Sequence, residues 1–592
     1  MCGIFGYVGA SNKATHIVLS GLKDLEYRGY DSWGIAVVPE QESAKTIIVK
    51  KSVGKIGTST IDDLPLGTLA FGHTRWATHG GVSKINAHPH LDCTKSIALI
   101  HNGIVENNAA LKKMLLDKKH TFLSETDSEV IVHLIEEYAK TTMFSKAVQR
   151  AFNELEGLNA IIVINKKDHQ MIAVRNGSPL VVGFGDKENY LSSDPTALIP
   201  YTKQVHFLED NEMAIVDEKN IHIYDVKTGD HIWPRKQMID WTVDETVKGK
   251  YPYYMLKEIY EQPGLLSEIA SESHEQSDLL AQKLKASHRA YVIGAGTAGH
   301  AARAASYLFS HIADRLVNWG IANEFDHRIA LMSDKSILIV LSQSGETMDL
   351  LEIVKKAKAR HITVFALVNV VGSSLWREAD LRLPLGAGPE KGVASTKAFI
   401  TKIAHLLLVA YSMKGEVKKG QLLLVQAAKA AQDVLSERSV DQIKNLAKEL
   451  KNTEHMFVIG RGISYATALE CALKIKEISY IHAEGVAAGE LKHGPLALVT
   501  KGTICIVFAP LDGTYDDTIT AAIEMKARGG YIIGISPKPN DVFDEYIAVA
   551  DVGIATIIPN SIVTQLLAYY LTLERGFDPD MPRNLAKSVT VK

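Results

Sequence analysis

A cysteine stands at the second position of the chain, directly after the initiator methionine. If Met1 is removed, Cys2 becomes the N-terminal residue and carries a nucleophilic thiol and a basic amine on one carbon. Reference pKa values of about 7.7 to 8.0 for an α-amino group and about 8.5 for a thiol allow the amine to accept the thiol proton near neutral pH. One residue could then supply nucleophile and base, although an unpaired cysteine can also be a packing residue at a strand start.

Polar residues that follow apolar, strand-like runs favour the chemical role of Cys2. They lie in the segments 72–80 (GHTRWATHG), 101–104 (HNGI, after the apolar run 97–100) and 126–129 (TDSE). The side-chain amide and backbone N–H of Asn102 and Gly103 would suit the oxyanion of an amide hydrolysis. Arg75 suits a carboxylate and Asp127 suits an ammonium group, the two charges of a free amino acid.

These segments resemble the glutaminase domain of the N-terminal-nucleophile glutamine amidotransferases. The resemblance implies that Cys2 is the nucleophile and that Asn102 and Gly103 form the oxyanion hole. The residues that it implies as glutamine contacts are Arg75, Trp76, Thr78, His79 and Asp127. The segment 25–32 (LEYRGYDS) also matches an early loop of that family, and Trp33 follows it where a smaller residue is expected.

Length and composition indicate a multidomain enzyme in a reducing compartment. The chain has 592 residues, 46% hydrophobic and 22% charged content, and a formal net charge of -3, so it has no basic excess for a polyanion. The cysteines at positions 2, 93, 471 and 505 are scattered without metal-ligand spacing, and we expect neither disulfides nor a metal. Because no signal peptide or spanning segment is recognised, we expect a cytoplasmic protein without nucleic-acid or membrane partners.

Residues 2–225 are expected to form an α+β domain, which the resemblance specifies as an αββα sandwich. Short β-rich runs at 46–49 and 160–164 alternate with few helical patterns, apart from an amphipathic stretch at 128–140. Apolar periodicity fades over 226–251, which we interpret as a linker.

Beyond the linker, long helical patterns separate buried strands, which is typical of α/β domains with parallel sheets. A strand that ends in glycines at 291–296 recurs at 457–462, and each copy is followed by an alanine-rich helix and further apolar strands. This pattern predicts an internal duplication. We place the first repeat at 252–430, the second at 431–580 and a C-terminal tail at 581–592.

A glycine motif in the first repeat raises the question of a dinucleotide. Residues 294–299 (GAGTAG) satisfy G-x-G-x-x-G, and Asp314 lies about twenty residues further on. That motif requires the acid at the end of a second strand, whereas Asp314 continues a helical run. The sequence therefore argues against a nicotinamide or flavin cofactor.

A second loop is a better candidate for binding a ligand. The segment 341–347 (LSQSGET) follows an apolar strand and precedes a helix, where hydroxyls and backbone N–H groups can hold a phosphate, although a serine cap with a turn glycine would look the same. Together with 392–397 (GVASTK), it resembles the sugar isomerase (SIS) domain family, with Ala298 where that family usually has a hydroxyl residue. The implied sugar-phosphate contacts are Thr297, Ser342, Gln343, Ser344, Thr347, Val393 and Lys474.

In the second repeat, Glu470, Lys474 and Glu477 share one helical face, which a surface ion-pair network would also explain. The following segment 478–495 is unusually rich in ionisable groups among apolar neighbours. It resembles the isomerase half of the glutamine:fructose-6-phosphate aminotransferase family. The terminal segment 582–592 (PRNLAKSVTVK) matches the tail that covers the sugar site in that family, with Lys592 where an acid is expected.

This resemblance implies a reaction at two sites, with glutamine and fructose 6-phosphate as substrates and glucosamine 6-phosphate, the first intermediate of UDP-N-acetylglucosamine synthesis, as product. Ammonia released at Cys2 would cross a closed interior, with Trp76 as a candidate gate. Lys587 would form an imine with the ketose, Glu477 would move a proton between C1 and C2, and His493 of a neighbouring subunit would assist ring opening. It implies a homodimer with a shared sugar site, and no metal, nicotinamide or pyridoxal phosphate.

Two other functions stay open at this point. The chain could use glutamine to aminate another sugar phosphate or act as a deglycase, although Glu477, His493 and Lys587 argue against this. It could also be a sugar-phosphate-binding regulator with a vestigial glutaminase, for which losses at Cys2, Asn102 or Asp127 would be expected.

Overall fold

The computed structural model describes residues 2–40, 46–272 and 275–589. Its chain divides into two compact units, of which the second comprises residues 247–585 and the first comprises residues up to 246 together with the tail from 586. Met1, whose removal would free the Cys2 amine, lies outside the described residues. Lys592, which stands where an acid is expected, also lies outside them.

The first unit is an αββα sandwich, as predicted. Its strands are β1 (Gly3–Gly9), β2 (Ser32–Val38), β3 (Ile48–Val53), β4 (Leu69–Arg75), β5 (His90–Leu91), β6 (Ile97–Gly103), β7 (Asn159–Asn165), β8 (Met171–Asn176), β9 (Val181–Phe184), β10 (Glu188–Ser192), β11 (Gln204–Phe207), β12 (Glu212–Val216), β13 (Ile221–Asp225), β14 (His231–Ile232) and β15 (Gln237–Met238). Eight form one sheet in the order β15-β11-β9-β10-β1-β4-β2-β3, and seven form the other in the order β14-β13-β12-β8-β7-β6-β5. Its helices are α1 (Ala14–Asp24), α2 (Asn108–Asp117), α3 (Glu129–Ala139), α4 (Phe144–Asn153) and α5 (Val243–Thr246).

The alternation of side chains along β1 explains the layers. Ile4 and Val8 face the second sheet and join the core between the sheets, whereas Phe5 and Tyr7 point the opposite way and pack beneath α1. Helices α3 and α4 cover the outer face of the second sheet. Strand β1 lies between β10 and β4 at the centre of its sheet, and its first residue directly follows Cys2.

The interpreted linker at 226–251 contains structure that belongs to the first unit. Strand β14 pairs with β13, and β15 pairs with β11 at the edge of the larger sheet. Because these strands are only two residues long, their apolar periodicity is too short to be recognised in the sequence. The amphipathic stretch at 128–140 is confirmed as α3.

A buried ion pair beneath the larger sheet allows a prediction about stability. The Arg28 and Asp194 side chains are 9% and 8% exposed, and Arg28 Nε and the Tyr27 hydroxyl donate to Asp194 Oδ2 over 3.0 and 2.7 Å. Replacing Asp194 with alanine leaves the guanidinium buried without its counter-charge, which costs about 3 to 5 kcal/mol. We expect calorimetry of the full chain to show the transition of the first unit lowered by about 10 °C.

The matched control is Asp63→Ala, since Asp63 pairs with Lys50 at the surface. This variant is expected to unfold almost like the unmodified chain, because exposed pairs contribute little. Equal shifts in the two variants would show that the Arg28–Asp194 pair does not stabilise the unit.

The second unit contains two similar α/β halves. Its strands are β16 (Arg289–Gly294), β17 (Asn318–Ile321), β18 (Ser336–Ser342), β19 (Thr363–Val368), β20 (Leu381–Pro384), β21 (His455–Gly460), β22 (His482–Ala487), β23 (Ile504–Phe508), β24 (Tyr531–Ser536) and β25 (Glu545–Ala548). Its helices are α6 (Tyr254–Ser271), α7 (Glu275–Ala286), α8 (Thr297–Ala313), α9 (Asp326–Ile329), α10 (Met348–Ala359), α11 (Ser374–Glu378), α12 (Lys397–Lys414), α13 (Val417–Val434), α14 (Glu437–Leu450), α15 (Ile463–Ser479), α16 (Tyr515–Lys526) and α17 (Ile557–Glu574).

Sheet topology confirms the predicted duplication. The two parallel sheets have the orders β17-β16-β18-β19-β20 and β22-β21-β23-β24-β25, so each strand has a counterpart at the same position in the other sheet. The glycines also correspond, because a Cβ on Gly294 or Gly460 would clash with the backbone of the helix that follows. The expected boundary at residue 430 falls inside α13, which packs into the common core of both halves.

One helix in the described part of the chain, within Gly553–Glu574, is long and apolar enough to cross a membrane by length and composition. Its most apolar stretch is 89% buried inside the second unit. It is therefore accounted for as a core helix.

The structure also answers the question raised by the glycine motif. Asp314 caps the C-terminal end of α8 in a left-handed conformation and pairs with Lys414, and the next strand, β17, begins only at Asn318. The acid is thus absent from the strand end where a dinucleotide ribose would need it.

Candidate active sites

Strand β1 brings Cys2 to the edge of a cavity in the first unit. The Gly3 N–H donates to Thr74 Oγ1 over 3.1 Å, and the Trp76 N–H donates to Cys2 Sγ over 3.3 Å, which joins the chain start to the end of β4. Burial raises the pKa of the Cys2 thiol, although the contact with Trp76 and the charge of Arg75 lower it. The thiol therefore needs a base to become a nucleophile near neutral pH.

The Asn102 side chain is held with its amide N–H groups toward Cys2. Its Nδ2 donates to the Cys2 carbonyl oxygen over 3.0 Å, while its Oδ1 lies 3.0 Å from His73 Nε2. His73 Nε2 also lies 3.1 Å from the His101 carbonyl oxygen, so both neighbours are acceptors and this nitrogen carries the proton. Burial lowers the pKa of His73 to about 3, and the imidazole is therefore neutral.

Gly103 follows at the end of β6 with a φ of +142°. A Cβ there would clash with the Leu158 carbonyl oxygen, so close backbone packing requires glycine. The Asn102 amide and the Gly103 backbone thus lie side by side at one strand end, as an oxyanion hole requires.

Arg75 and Asp127 supply the charges of the cavity. Arg75 donates to the carbonyl oxygens of His79, Gly80 and Gly81, which fixes the loop that carries the predicted contacts Thr78 and His79. Among the described residues, these bonds use three of the five guanidinium N–H groups. Asp127 is buried, and its Oδ2 accepts from the Val105 N–H over 2.7 Å, which fixes the carboxylate just before α3.

All eight residues predicted for the glutamine site line this one cavity: Cys2, Arg75, Trp76, Thr78, His79, Asn102, Gly103 and Asp127. The lining also includes five residues that the sequence analysis does not place in this site: His88, His101, Thr126, Ser128 and Val589. His101 bridges Ser128 Oγ at 2.8 Å and Asn159 Oδ1 at 2.9 Å, and so supports the strand end beneath Asn102. The only signal for it in the sequence was its position directly before Asn102.

In the second unit, Glu470, Lys474 and Glu477 form a network that is largely buried rather than a surface ion-pair face. Lys474 Nζ lies 2.7 Å from Glu477 Oε2 and 3.5 Å from Glu470 Oε1, and the Lys474 side chain is 1% exposed. Burial alone lowers the pKa of Lys474. The Glu477 and Glu470 carboxylates together raise it by more, so the pKa of Lys474 lies above its usual value. The lysine stays charged and holds the partly exposed Glu477 in one orientation.

The same network reaches the first repeat. Thr297 Oγ1 donates to Glu470 Oε1 over 3.1 Å, and His300 Nδ1 lies 2.8 Å from Glu470 Oε2. Thr297, predicted as a sugar-phosphate contact, therefore anchors the buried carboxylate of α15 to the start of α8. His300 was not recognised in the sequence, because its partner is 170 residues away.

The loop after β18 has the form expected of an anion site. Ser342 Oγ accepts from the Gly345 N–H over 2.9 Å, and Ser344 Oγ accepts from the Glu346 N–H over 3.2 Å. Gly345 has a φ of +69°, and Thr347 occupies the N-cap of α10. Gln343 and Thr347 are half-buried beside the N–H groups at the start of that helix.

The remaining predicted residues lie in three places. Val393 is buried, and its N–H donates to the Asp580 carbonyl oxygen over 3.1 Å. His493 is exposed at the end of a short 3₁₀ helix, Ala488–His493, in the second unit. Lys587 is half-buried in the tail segment that groups with the first unit.

Comparison with known proteins agrees with this architecture. Residues 73–200 match the glutamine amidotransferase domain family, and residues 283–412 and 449–575 match the SIS domain family. The fold and the Cys2 cavity thus define a glutamine amidotransferase joined to a pair of SIS domains.

Similar full-length proteins define the family more narrowly. The chain is 42%, 39% and 38% identical to the glutamine–fructose-6-phosphate aminotransferases (isomerizing) of Thermococcus kodakarensis, Thermus thermophilus and Clostridium tetani, with 100% of both chains covered each time. The chain belongs to this aminotransferase family.

Solved structures resemble the second unit. The C-terminal domain of glucosamine-fructose-6-phosphate aminotransferase from Francisella tularensis is 34% identical, with a TM-score of 0.53, and the match covers 57% of this chain and 100% of that one. Tagatose-6-phosphate ketose/aldose isomerase from Escherichia coli, at 16% identity and a TM-score of 0.50, covers 57% of this chain and 96% of its own, and shares the fold.

Proposed function

We propose that the chain converts D-fructose 6-phosphate and L-glutamine into D-glucosamine 6-phosphate and L-glutamate. The observation that carries this proposal is the cavity that Cys2 shares with Asn102, Gly103, Arg75 and Asp127. These residues supply a nucleophile, two oxyanion donors and a pair of opposite charges, which together suit the amide and the α-groups of glutamine. Membership of the aminotransferase family supports fructose 6-phosphate as the acceptor.

At the first site, the freed α-amine of Cys2 takes the thiol proton, and the thiolate attacks the amide carbon of glutamine. Asn102 Nδ2 and the Gly103 N–H stabilise the oxyanion, and the C–N bond then breaks as ammonia leaves with a proton. Water hydrolyses the thioester and releases glutamate. Arg75 holds the α-carboxylate of glutamine, and Asp127 holds its α-ammonium group.

At the second site, the start of α10 with Ser342, Gln343, Ser344 and Thr347 binds the phosphate. Lys587 condenses with the C2 carbonyl of the open-chain ketose and releases water, and ammonia then displaces the lysine from C2. Glu477 takes a proton from C1 while the imine nitrogen on C2 gains a proton, which gives an enamine with a C1=C2 double bond. Glu477 then returns its proton to C2 while the C1 hydroxyl loses its proton, which yields the aldose with its amine on C2. The contact of Lys474 with Glu477 supports this role, because it holds the base in one orientation.

We further propose a cytoplasmic homodimer in which His493 of one subunit assists ring opening in the other. The exposed position of His493 and the free state of the four cysteines support this arrangement. Ammonia passes from the first site to the second without entering bulk water, where it would be protonated.

The proposal is tested by incubating the chain with glutamine and one sugar phosphate at a time and quantifying glutamate and amino sugar. With fructose 6-phosphate, glutamate and glucosamine 6-phosphate should form in equal amounts. Glutamate alone, or amination of a different sugar phosphate in preference, would overturn the assigned acceptor.

Asn102→Ala tests the oxyanion assignment. Loss of one oxyanion donor lowers kcat by about 10²- to 10³-fold, and the effect on the KM for glutamine should be small. Steady-state glutaminase kinetics measure both values. Amination with free ammonium serves as the control and should be unchanged, and a variant that instead loses mainly affinity for glutamine would contradict the oxyanion role.

A further inference from the structure

A cluster of four potential metal ligands lies in the first unit. Cys93 Sγ, His120 Nδ1, His133 Nδ1 and one oxygen of Glu136 lie within 4.8 Å of one another. Cys93 follows β5, His120 follows α2, and His133 and Glu136 stand one turn apart on α3. The four residues are called the Cys93 cluster below, and none of them lines the Cys2 cavity.

The distances from Cys93 and Glu136 to the two imidazoles are close to the edges of a small tetrahedron. Cys93 Sγ lies 3.7 Å from His120 Nδ1 and 3.6 Å from His133 Nδ1. Each of these nitrogens lies 3.0 Å from Glu136 Oε2. Tetrahedral zinc, with bonds of about 2.3 Å to sulfur and about 2.0 Å to nitrogen or oxygen, separates its ligand atoms by about 3.3 to 3.6 Å. One ion therefore fits between the four atoms with small side-chain shifts.

The outer nitrogens of both imidazoles face carboxylates. His120 Nε2 lies at hydrogen-bond distance from Glu137 Oε2, 3.1 Å, whereas His133 Nε2 lies 3.7 Å from Glu129 Oε1, beyond hydrogen-bond distance. For His120, a carboxylate at the outer N–H favours the tautomer that leaves Nδ1 as a metal ligand, and zinc-binding histidines commonly have this arrangement. The two imidazoles are 3% and 1% exposed, so the cluster is built into the fold rather than spread over the surface.

We propose that the Cys93 cluster is a structural Zn²⁺ site. Thiolate and imidazole ligands favour zinc over magnesium or calcium, and four protein ligands complete a closed tetrahedral site. On binding, the Cys93 thiol gives its proton to solvent, Glu136 binds as a carboxylate, and each histidine binds as the neutral imidazole through Nδ1. Cys93 is exposed and lines an open groove together with His133, through which the ion enters.

The ion ties two loops to one helix. It joins the segment after β5 and the segment after α2 to α3, which begins two residues after Asp127 of the proposed glutamine site. Zinc is therefore expected to stabilise the first unit. No pattern in the sequence indicates this site, because Cys93 lies 27 residues from His120 and 40 from His133, and such separations match no ligand motif.

Cobalt provides the test, because Co²⁺ occupies tetrahedral zinc sites and is coloured. The full-length chain, stripped with a chelator under reducing conditions, should bind one Co²⁺ with the strong visible absorption of tetrahedral coordination and a near-ultraviolet thiolate band. Cys93→Ser should lose the thiolate band and weaken binding by more than the about 10- to 100-fold caused by loss of an outer partner. His16→Ala, an exposed histidine on α1, is the matched control and should bind like the unmodified chain.

Zinc-dependent stability gives a second readout. Zn²⁺ should raise the unfolding midpoint of the unmodified chain and of His16→Ala, and should have no such effect on Cys93→Ser or Glu136→Gln. The alternative is a metal-free hydrogen-bond network in which Glu136 accepts from both histidines. That network is favoured, and the proposal overturned, if Co²⁺ does not bind stoichiometrically or if its spectrum is the same in Cys93→Ser.

Discussion

Replacing Cys2 with alanine is expected to abolish glutamine-dependent sugar amination while amination from free ammonium continues. The variant lacks the sulfur that must bond to the amide carbon, and the Asn102 donor cannot substitute for a nucleophile. Loss of a covalent nucleophile lowers turnover by about 10⁴-fold or more. The measurement is the rate of glucosamine 6-phosphate formation with glutamine and, separately, with a high concentration of ammonium at alkaline pH.

Cys505→Ala is the matched control, because Cys505 is a free cysteine buried in β23, far along the chain from the glutamine cavity. This variant should keep both the glutamine-dependent and the ammonium-dependent activity, and its stability should fall only slightly. Loss of ammonium-dependent amination in Cys2→Ala would contradict the assignment of separate sites, and so would residual glutamine use at the unmodified rate.

Glu477→Gln is expected to remove sugar amination with either nitrogen donor and to leave glutamine hydrolysis in place. In the unmodified chain Lys474 Nζ lies 2.7 Å from Glu477 Oε2. The amide of the variant keeps an oxygen that accepts from Lys474, so the geometry is retained while the group that transfers the proton is lost. Loss of a general base costs about 10²- to 10⁴-fold. The measurements are amino-sugar formation and the exchange of the C1 proton of fructose 6-phosphate with deuterium from solvent.

The exposed Glu484 on β22 provides the control, and Glu484→Gln should behave like the unmodified chain. If Glu477→Gln still exchanges the C1 proton at the original rate, another group is the base and the second site has been assigned wrongly.

The candidate residues for the glutamine site could be named from the sequence because they follow strands at short range, and the structure gathers them around one cavity. Cys2 precedes β1, Arg75 ends β4, and Asn102 and Gly103 end β6, so each motif could be recognised from an apolar run and the polar residues after it. The antiparallel and interlayer packing that brings the three strand ends together is a property of the fold family, and the resemblance supplied it.

What the sequence could not give are groups whose partners are distant along the chain. His73 orients Asn102 from 29 residues away, and Thr297 anchors Glu470 across 173 residues. No local periodicity reports such pairs, since they depend on sheet order and helix packing. For the same reason the sequence leaves open a surface ion-pair face for Glu470 and Lys474, whereas the structure buries both.

The short strands β14 and β15 show a related limit. A two-residue strand at a sheet edge is stabilised by its neighbour and by little of its own sequence, so the pattern of 226–251 predicted a linker. The parallel sheets of the second unit were easier, because strands buried on both faces form continuous apolar runs.

The transfer of nitrogen from glutamine to the sugar couples the two sites, and isotope labelling measures it directly. The chain is incubated with fructose 6-phosphate, glutamine labelled with ¹⁵N in its amide, and an excess of unlabelled ammonium, and the amino sugar is identified by NMR and mass spectrometry. We predict glucosamine 6-phosphate that carries ¹⁵N with little dilution by the ammonium pool. Labelled ammonium and glutamate with unchanged sugar would contradict the coupling of the two sites.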